Sequence, residues 1–328
     1  MKKAIVIGAT SFSGINFTNY LIKKKFKIIG IGRSNFPREC FAPFPIKTNN
    51  FKFCKFDINK NLPSLISLIK DFRPNFIINF ASQSMVAESW QKPYDWFLTN
   101  SYSIPSLYYQ ISKLKFKSRL VHISTPEVYG NTIKKINEDY NFNPNTPYAI
   151  SRTTADYYLN ILSKNSAIDF VATRSANVFG EYQSLYRIIP KTIFCILNKE
   201  KLFLHGNGKS KRSFIHIEDV CSATYLLMIS KKLNKNRFYN ISTDQLISIK
   251  DLVEKICYIL GYNVNLLVKN SSERIGKDFI YHLDSSKLKK LGWRSNISLA
   301  DGIIKTLNWV KKNFKNFKSS DLKYIHRS

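Results

Sequence analysis

Short apolar runs recur through the first half of the chain, each followed by a polar turn and a stretch with helical spacing. They are AIVIG at 4–8, KIIGIG at 27–32, FKFCKFD at 51–57, NFIINFA at 75–81, RLVHIS at 119–124 and DFVATR at 169–174. Strands that are apolar on both faces must be covered on both faces, so their alternation with helices predicts a parallel sheet between two helical layers. The expected fold class is α/β, a doubly wound parallel sheet of the Rossmann type. After about residue 180 the rhythm loosens. SLYRIIPKTIFCILNKEKLFLHGNGKSKRSF predicts a helix, a short strand and a glycine-containing turn, and IHIEDVCSATYLLMI a strand end and a helix. SIKDLVEKICYILG is an amphipathic helix opened by Ser248 and closed at Gly261. The expected division is a sheet domain at 1–180 and, at 181–328, a smaller C-terminal α/β lobe built over the sheet's carboxyl edge, with the chain crossing between them. The basic tail from Lys311 to Ser328 has no sustained apolar period and is expected to be the frayed end of a last helix.

GATSFSG, from Gly8 to Gly14, lies between the first strand and the helix that begins INFTNYLIKKK. Gly8 permits a tight turn, Gly14 lets the helix approach the sheet, and the free amides at that helix N-terminus suit a pyrophosphate. Ser11 stands where the G-x-x-G-x-x-G form has its middle glycine and adds a Cβ beside the cofactor. The second strand ends in Gly32, Arg33 and Ser34. An acidic residue there would take a ribose 2′-hydroxyl, whereas Arg33 can neutralise a 2′-phosphate, so NADP is expected in preference to NAD. Asp57, at the end of the third strand, is placed to accept from an adenine amine or to form a turn.

STPEVYG at 124–130 follows an apolar strand, and PYAISR opens a helix on which Tyr148 and Arg152 stand four residues apart, on one face. A cation beneath a phenol favours the phenolate and lowers its pKa, which equips tyrosine to exchange a proton during hydride transfer with a nicotinamide.

The 328 residues are 44% apolar and 22% charged, which excludes wholesale disorder. Lys and Arg number 51 against 22 acidic residues, a net +29 that favours anionic partners. The cations are scattered, however, without a zinc-ligand pattern, an aromatic RNA-binding strand or a basic zipper, so a nucleic-acid partner is not expected. The five cysteines are widely spaced and never C-x-x-C, which predicts reduced thiols, and the histidines have no metal-ligand spacing, so no metal is expected. The apolar run after the initial MKK stops at Gly8, as a strand does and a signal sequence does not. No run approaches the ~18 apolar residues of a membrane span. A cytoplasmic enzyme with no membrane contact is expected.

Across nearly its whole length the chain resembles the extended short-chain dehydrogenase/reductases, in particular nucleotide-sugar 4,6-dehydratases of the dTDP-glucose 4,6-dehydratase type. The resemblance is carried by GATSFSG, FASQSMVAES at 80–89, the TN pair at 99–100, STPEVYG, PYAISR, TRSANVFGEYQ at 173–183, HGNGKSKRSFIHIEDV at 205–220, YNIS at 239–242 and RIGKDFIYHLDSSKLKKLGW at 274–293. It implies a catalytic group of Thr125, Glu127, Tyr148 and Arg152, acting on a nucleotide-diphosphate sugar with a tightly bound, internally recycled dinucleotide. Thr125 and Tyr148 would bind the sugar's 4-hydroxyl, Tyr148 serving as base for its oxidation, and Glu127 would remove the C5 proton. The dinucleotide would contact Gly8, Thr10, Ser11, Phe12, Ser13, Gly14, Arg33, Asp57, Ile58, Ala81, Ser82, Gln83 and Thr99, together with Tyr148 and Arg152. Ser84 would line the sugar site, and Asn177, Arg212, Asn240 and Arg274 would hold the nucleotide diphosphate. A homodimer through the helices near 85–113 and 148–163 is also implied. Three residues depart from the family pattern: Pro126 replaces an acidic Asp, Arg152 replaces Lys, and Met85 replaces His. The same resemblance admits 4-epimerases, decarboxylases and reductases that share the tyrosine-based oxidation. Pro126, Arg152 and the net charge also leave open a degenerate, non-catalytic binder of dinucleotide or nucleic acid.

Overall fold

A computed structural model of the chain describes residues 1–139, 141–271 and 280–327. Its main sheet holds seven parallel strands: β1 (Lys3–Ile7), β2 (Lys27–Gly32), β3 (Phe51–Lys55), β4 (Phe76–Asn79), β5 (Arg119–Ile123), β6 (Asp169–Ser175) and β7 (Phe238–Ile241). They lie in the order β3-β2-β1-β4-β5-β6-β7. The order reverses between β1 and β4, which opens a crevice at the carboxyl ends of these two strands. Each predicted apolar run of the first half became a strand of this sheet. The seventh strand comes from beyond residue 180, so the later part of the chain returns to complete the sheet.

The helices that matter below are α1 (Phe12–Lys23), α2 (Leu62–Phe72), α3 (Ile104–Ser112), α4 (Pro147–Asn165), α5 (Ile188–Leu197), α6 (Ile217–Ile229), α7 (Ile249–Leu260) and α8 (Leu299–Asn313). Successive residues of β1 feed opposite layers. Ala4 and Val6 join Phe17, Leu21, Ala223 and Leu227 from α1 and α6. Ile5 and Ile7 join Leu65, Leu107, Ala155 and Leu159 from α2, α3 and α4. A third core forms where α5, α7 and α8 bring together Ile193, Ile256, Ile303 and Val310.

The segment after α8 is not frayed. Phe314, Phe317 and Leu322 pack on the third core, with Phe314 stacked on Phe194 at 5.2 Å. Two short 3-10 turns, Phe314–Asn316 and Ser319–Leu322, hold it. Its apolar residues therefore follow no single period, which is why the sequence pattern missed it. Among the described residues, no helix is long and apolar enough to cross a membrane.

Candidate active site

The glycine turn closes as its sequence requires. Gly8 has φ +80°, and a Cβ there would lie 2.5 Å from the Ala81 amide nitrogen at the end of β4. A Cβ on Gly14 would meet the Gly8 carbonyl at 2.2 Å, so α1 can start this close to the sheet only with glycine. Ser11, the departure from the glycine pattern, is the N-cap of α1: its Oγ accepts from the Gly14 amide at 3.1 Å and donates to the Gly8 carbonyl at 2.7 Å. Phe12 and Ser13, the first helical residues, have amides with no intrahelical acceptor and line the cleft.

A cavity of about 190 Å³ runs from this turn over the ends of β2, β3 and β4. Gly8, Thr10, Ser11, Arg33, Asp57, Ile58, Ala81, Ser82 and Thr99 all line it. Asp57 serves as a turn former as well, accepting from the Asn59 amide at 2.9 Å. Thr99 sits in a π-helical turn, Phe97–Ser103, and accepts from Asn59 Nδ2 at 3.0 Å. The same turn aims the buried Asn100 at the loop after β4, where it accepts from the Gln83 amide and donates to the Gln83 carbonyl, both at 3.0 Å. Asn100 is a positioning residue of which the TN pair gave only a hint.

The cavity adjoins a larger one of about 830 Å³ that contains Thr125, Glu127, Tyr148 and Arg152. α4 presents Tyr148 and Arg152 on one face. Its start is set by Thr146, which accepts from the Ala149 amide, by Pro147 at the first turn, and by Ser89, whose Oγ accepts from the Tyr148 amide at 3.2 Å. Thr125 caps the short 3-10 turn Pro126–Tyr129, accepting from the Glu127 amide at 3.5 Å, and its hydroxyl is near enough to the Tyr148 phenol to favour the phenolate. Pro126 fits as the first residue of that turn and has no proton to donate.

The electrostatics correct one expectation. Arg152 and the Thr125 hydroxyl do favour the Tyr148 phenolate, but burial and then the neighbouring Glu127 carboxylate outweigh them, and the pKa is pushed up to about 12. Tyr148 is therefore neutral at physiological pH until further positive charge arrives beside it.

Arg152 is 2% exposed and faces the cleft. One guanidinium nitrogen donates to the Ile123 carbonyl, while Nε and Nη1 are buried without a partner. Each unsatisfied donor costs about 1–3 kcal/mol, so the pair fits a ligand that brings acceptors, as the ribose hydroxyls of a dinucleotide do.

Beneath this centre lies a buried network that the sequence reading missed. Asp156, one turn beyond Arg152, accepts from Arg174 Nη2 and Ser124 Oγ, both at 2.8 Å, and pairs with His122 Nε2 at 3.0 Å. Burial alone would raise the Asp156 pKa, but Arg174 and His122 hold it well below the usual carboxylate range. Burial pushes His122 down, and its Nδ1 meets the Tyr108 hydroxyl, which also accepts from Asn79 Nδ2 at 2.8 Å. Paired on every side, these charges avoid the penalty of isolated buried ions, and through Ser124 they hold the strand end that carries Thr125. The 148, 152, 156 spacing on one helix was the available signal.

Elsewhere in the larger cavity, the lining includes Ser84, Asn177 and Arg212, and also Arg187, which the motifs did not single out. Arg212 packs over the Tyr281 ring at 4.6 Å. Asn240 does not meet its expected role. It is fully buried in β7, accepts from the Tyr129 hydroxyl at 3.2 Å and donates its amide to Glu138 Oε1 at 2.8 Å. Its motif neighbours made it look like a ligand, but in β7, at the edge of the sheet, its side chain is turned into the protein interior. Arg274 lies outside the described residues. Away from the cleft lining, the fold brings Glu181, His216 and Glu218 together, with ligand atoms within 4.8 Å of one another, a cluster invisible in linear spacing.

Comparison with known proteins places this geometry. The family model described as GDP-mannose 4,6 dehydratase matches residues 5–306. A trifunctional UDP-glucose 4,6-dehydratase/UDP-4-keto-6-deoxy-D-glucose 3,5-epimerase/UDP-4-keto-L-rhamnose-reductase of Arabidopsis thaliana is 28% identical over 320 residues, covering 95% of this chain and 48% of that protein. The chain thus spans about half the length of that relative. The dTDP-D-glucose 4,6-dehydratase of Bos taurus is 26% identical over 333 residues, 98% of this chain and 92% of the relative. The dTDP-glucose 4,6-dehydratase of Streptomyces venezuelae, solved with NAD bound, shares the fold at a TM-score of 0.87, with 24% identity and coverage of 96% of this chain and 99% of that one. With the family model matching almost the entire length, the chain belongs to the GDP-mannose 4,6 dehydratase family.

Proposed function

We propose that the protein is a nucleotide-sugar 4,6-dehydratase, which converts an NDP-hexose to an NDP-4-keto-6-deoxyhexose. The observation that carries this reading is Tyr148 gathered with Thr125, Arg152 and Glu127 in a cleft continuous with the glycine turn. A nicotinamide dinucleotide bound along that turn supplies the oxidation at C4 and, later in the same turnover, the reduction at C6. With the dinucleotide in place, its cationic nicotinamide ring would offset the Glu127 charge, and Tyr148, as the phenolate that Arg152 favours, takes the proton of the 4-hydroxyl as the C4 ketone forms. Glu127 removes the C5 proton, acidified by the adjacent ketone. Because Pro126 carries no proton, Glu127 then returns the one it holds to the departing 6-hydroxyl, which leaves as water. As C6 is reduced, C5 takes up the proton that Tyr148 accepted, passed on through Glu127, so the sugar loses one water in all and both residues end as they began.

Arg33 in the cavity lining, directly after a second strand that ends without an acidic residue, supports NADP over NAD, although the Streptomyces relative is described with NAD. Ser84, Asn177, Arg187 and Arg212 are proposed to hold the nucleotide diphosphate and sugar. Incubation with NDP-glucose and NDP-mannose should give a product one water lighter, with a 4-ketone and no 6-hydroxyl. A product that keeps its 6-hydroxyl overturns the reading in favour of an epimerase or reductase. Mass spectrometry of ligands released from the purified protein identifies the dinucleotide and the nucleotide base in the same experiment.

We also propose a homodimer through α3 and α4 with the turns before α3. These packed elements leave Tyr94, Tyr102, Tyr109, Ile150, Tyr157 and Ile161 each between 44 and 73% exposed. Two neighbouring helices offering this much exposed apolar surface suit a second copy of the same face. Sedimentation should show a dimer, and Tyr102→Asp with Ile161→Asp should convert it to monomer.

A further inference from the structure

The segment after α8 leaves the third core and crosses the mouth of the cleft. Its first fastening is the turn Ser319–Leu322, where Asp321 accepts from the Lys318 amide at 2.7 Å and from Arg38 Nη2 at 2.6 Å, while Arg38 Nη1 donates to the Asn316 carbonyl at 3.1 Å. Farther on, Tyr324 meets the edge of Tyr186 at 5.6 Å. His326 stacks on the fully buried Trp96, with centroids 5.0 Å apart and planes 14° apart, and its Nε2 lies 2.6 Å from Asp95 Oδ2. The Arg327 carbonyl accepts from Gln83 Nε2 at 2.8 Å, and its Nη1 donates to Ser34 Oγ at 2.6 Å.

The two anchors of Arg327 lie on two separate loops that both line the larger cavity. Ser34 follows β2 and lines the dinucleotide cavity, whereas Gln83 follows β4. Between the anchors, Tyr324, Ile325 and Arg327 line the larger cavity itself. A dinucleotide lying along the glycine turn would rest beneath this bridge, and the bridge must lift before the dinucleotide can leave.

We infer that residues 318–327 form a strap that completes the dinucleotide end of the cleft and retains the bound cofactor, with the His326 contact to Asp95 and Trp96 as its latch. This rests on the reading of the cleft as a dinucleotide site. A reaction that returns its reducing equivalent within one turnover needs no cofactor exchange, so retention is compatible with turnover, and each escape of a reduced cofactor would strand the enzyme. The latch is small and polar on one side, so it can open without disturbing a core. Phe314, Phe317 and Leu322 stay packed on the third core while the portion beyond them moves.

The test loads the full chain with NADPH, or NADH, and follows release by nicotinamide fluorescence during a chase with excess oxidised dinucleotide. Losing a charge-assisted hydrogen bond at the latch should speed release by at least about tenfold in His326→Ala. Asp95→Asn, on the other side of the same contact, should act in the same direction and reads the latch independently if His326→Ala does not fold. The double variant should release no faster than the quicker single one, because both changes break one contact. Unchanged release in both single variants overturns the strap and leaves the dinucleotide site standing. Failure of the unaltered protein to bind either dinucleotide overturns the site and the strap together.

Discussion

Tyr148→Phe should lower turnover of the NDP-hexose roughly ten-thousandfold, the upper end of what a positioned proton-transfer group contributes, while bound dinucleotide is retained. The phenol is the group beside Thr125 where the 4-hydroxyl is proposed to sit, and the substitution removes one oxygen from an otherwise filled, 7% exposed position. Packing, the α4 cap and the unpartnered Arg152 nitrogens all remain, so folding and cofactor retention should be near those of the parent. The measurement is product formation under saturating NDP-hexose, alongside the dinucleotide content of the purified variant. Turnover within tenfold of the parent would assign the proton transfer to another residue. Loss of the dinucleotide together with activity would make Tyr148 a binding group only.

Glu127→Gln should divide the reaction at its middle. Elimination of water should fall roughly a thousandfold, because the amide can neither take the C5 proton nor return one to the leaving hydroxyl. Oxidation at C4 should persist, visible in a single turnover as reduction of the bound cofactor without a 6-deoxy product. The two steps should also separate in pH. The Glu127 carboxylate raises the Tyr148 pKa, because phenolate and carboxylate would be like charges in one buried cleft. Removing that charge lowers the phenol's pKa, so the pH profile of the oxidation half-reaction should move toward lower pH in the variant. A profile that moves upward, or does not move, contradicts the electrostatic account. Full dehydratase turnover in Glu127→Gln would instead require a different C5 base.

The parts legible in sequence were those in which a local pattern maps directly onto a local structure. The six apolar runs became strands because two-faced burial demands unbroken apolar stretches. Gly8 and Gly14 were readable because a positive φ and a backbone close approach leave no choice of residue. Tyr148 and Arg152 were readable because a spacing of four fixes a shared helical face. Ser11 was read as a blemish, yet it caps α1. A serine's role depends on whether its hydroxyl meets an orphan amide, and only the turn's conformation decides that.

Other residues depended on partners far along the chain. Asn240 carried a motif signature but was spent on Tyr129 and Glu138, more than a hundred residues away. No motif singled out Asp156 and Arg174, which the sheet buries against each other and His122. The direction of the Tyr148 pKa was misjudged for a related reason: the cation was visible four residues away, but the depth of burial was not.

For this protein, then, the sequence by itself determined the strand and helix rhythm, the phosphate-binding turn and the tyrosine–arginine pair, because each follows from interactions within a few residues. Tertiary structure alone decided which polar groups face the cleft and which are buried as pairs, how burial sets the charge on Tyr148, and how His326 and Arg327 come to lie across Trp96 and Ser34. These depend on solvent exclusion and on contacts between distant segments, and no short window of residues encodes either.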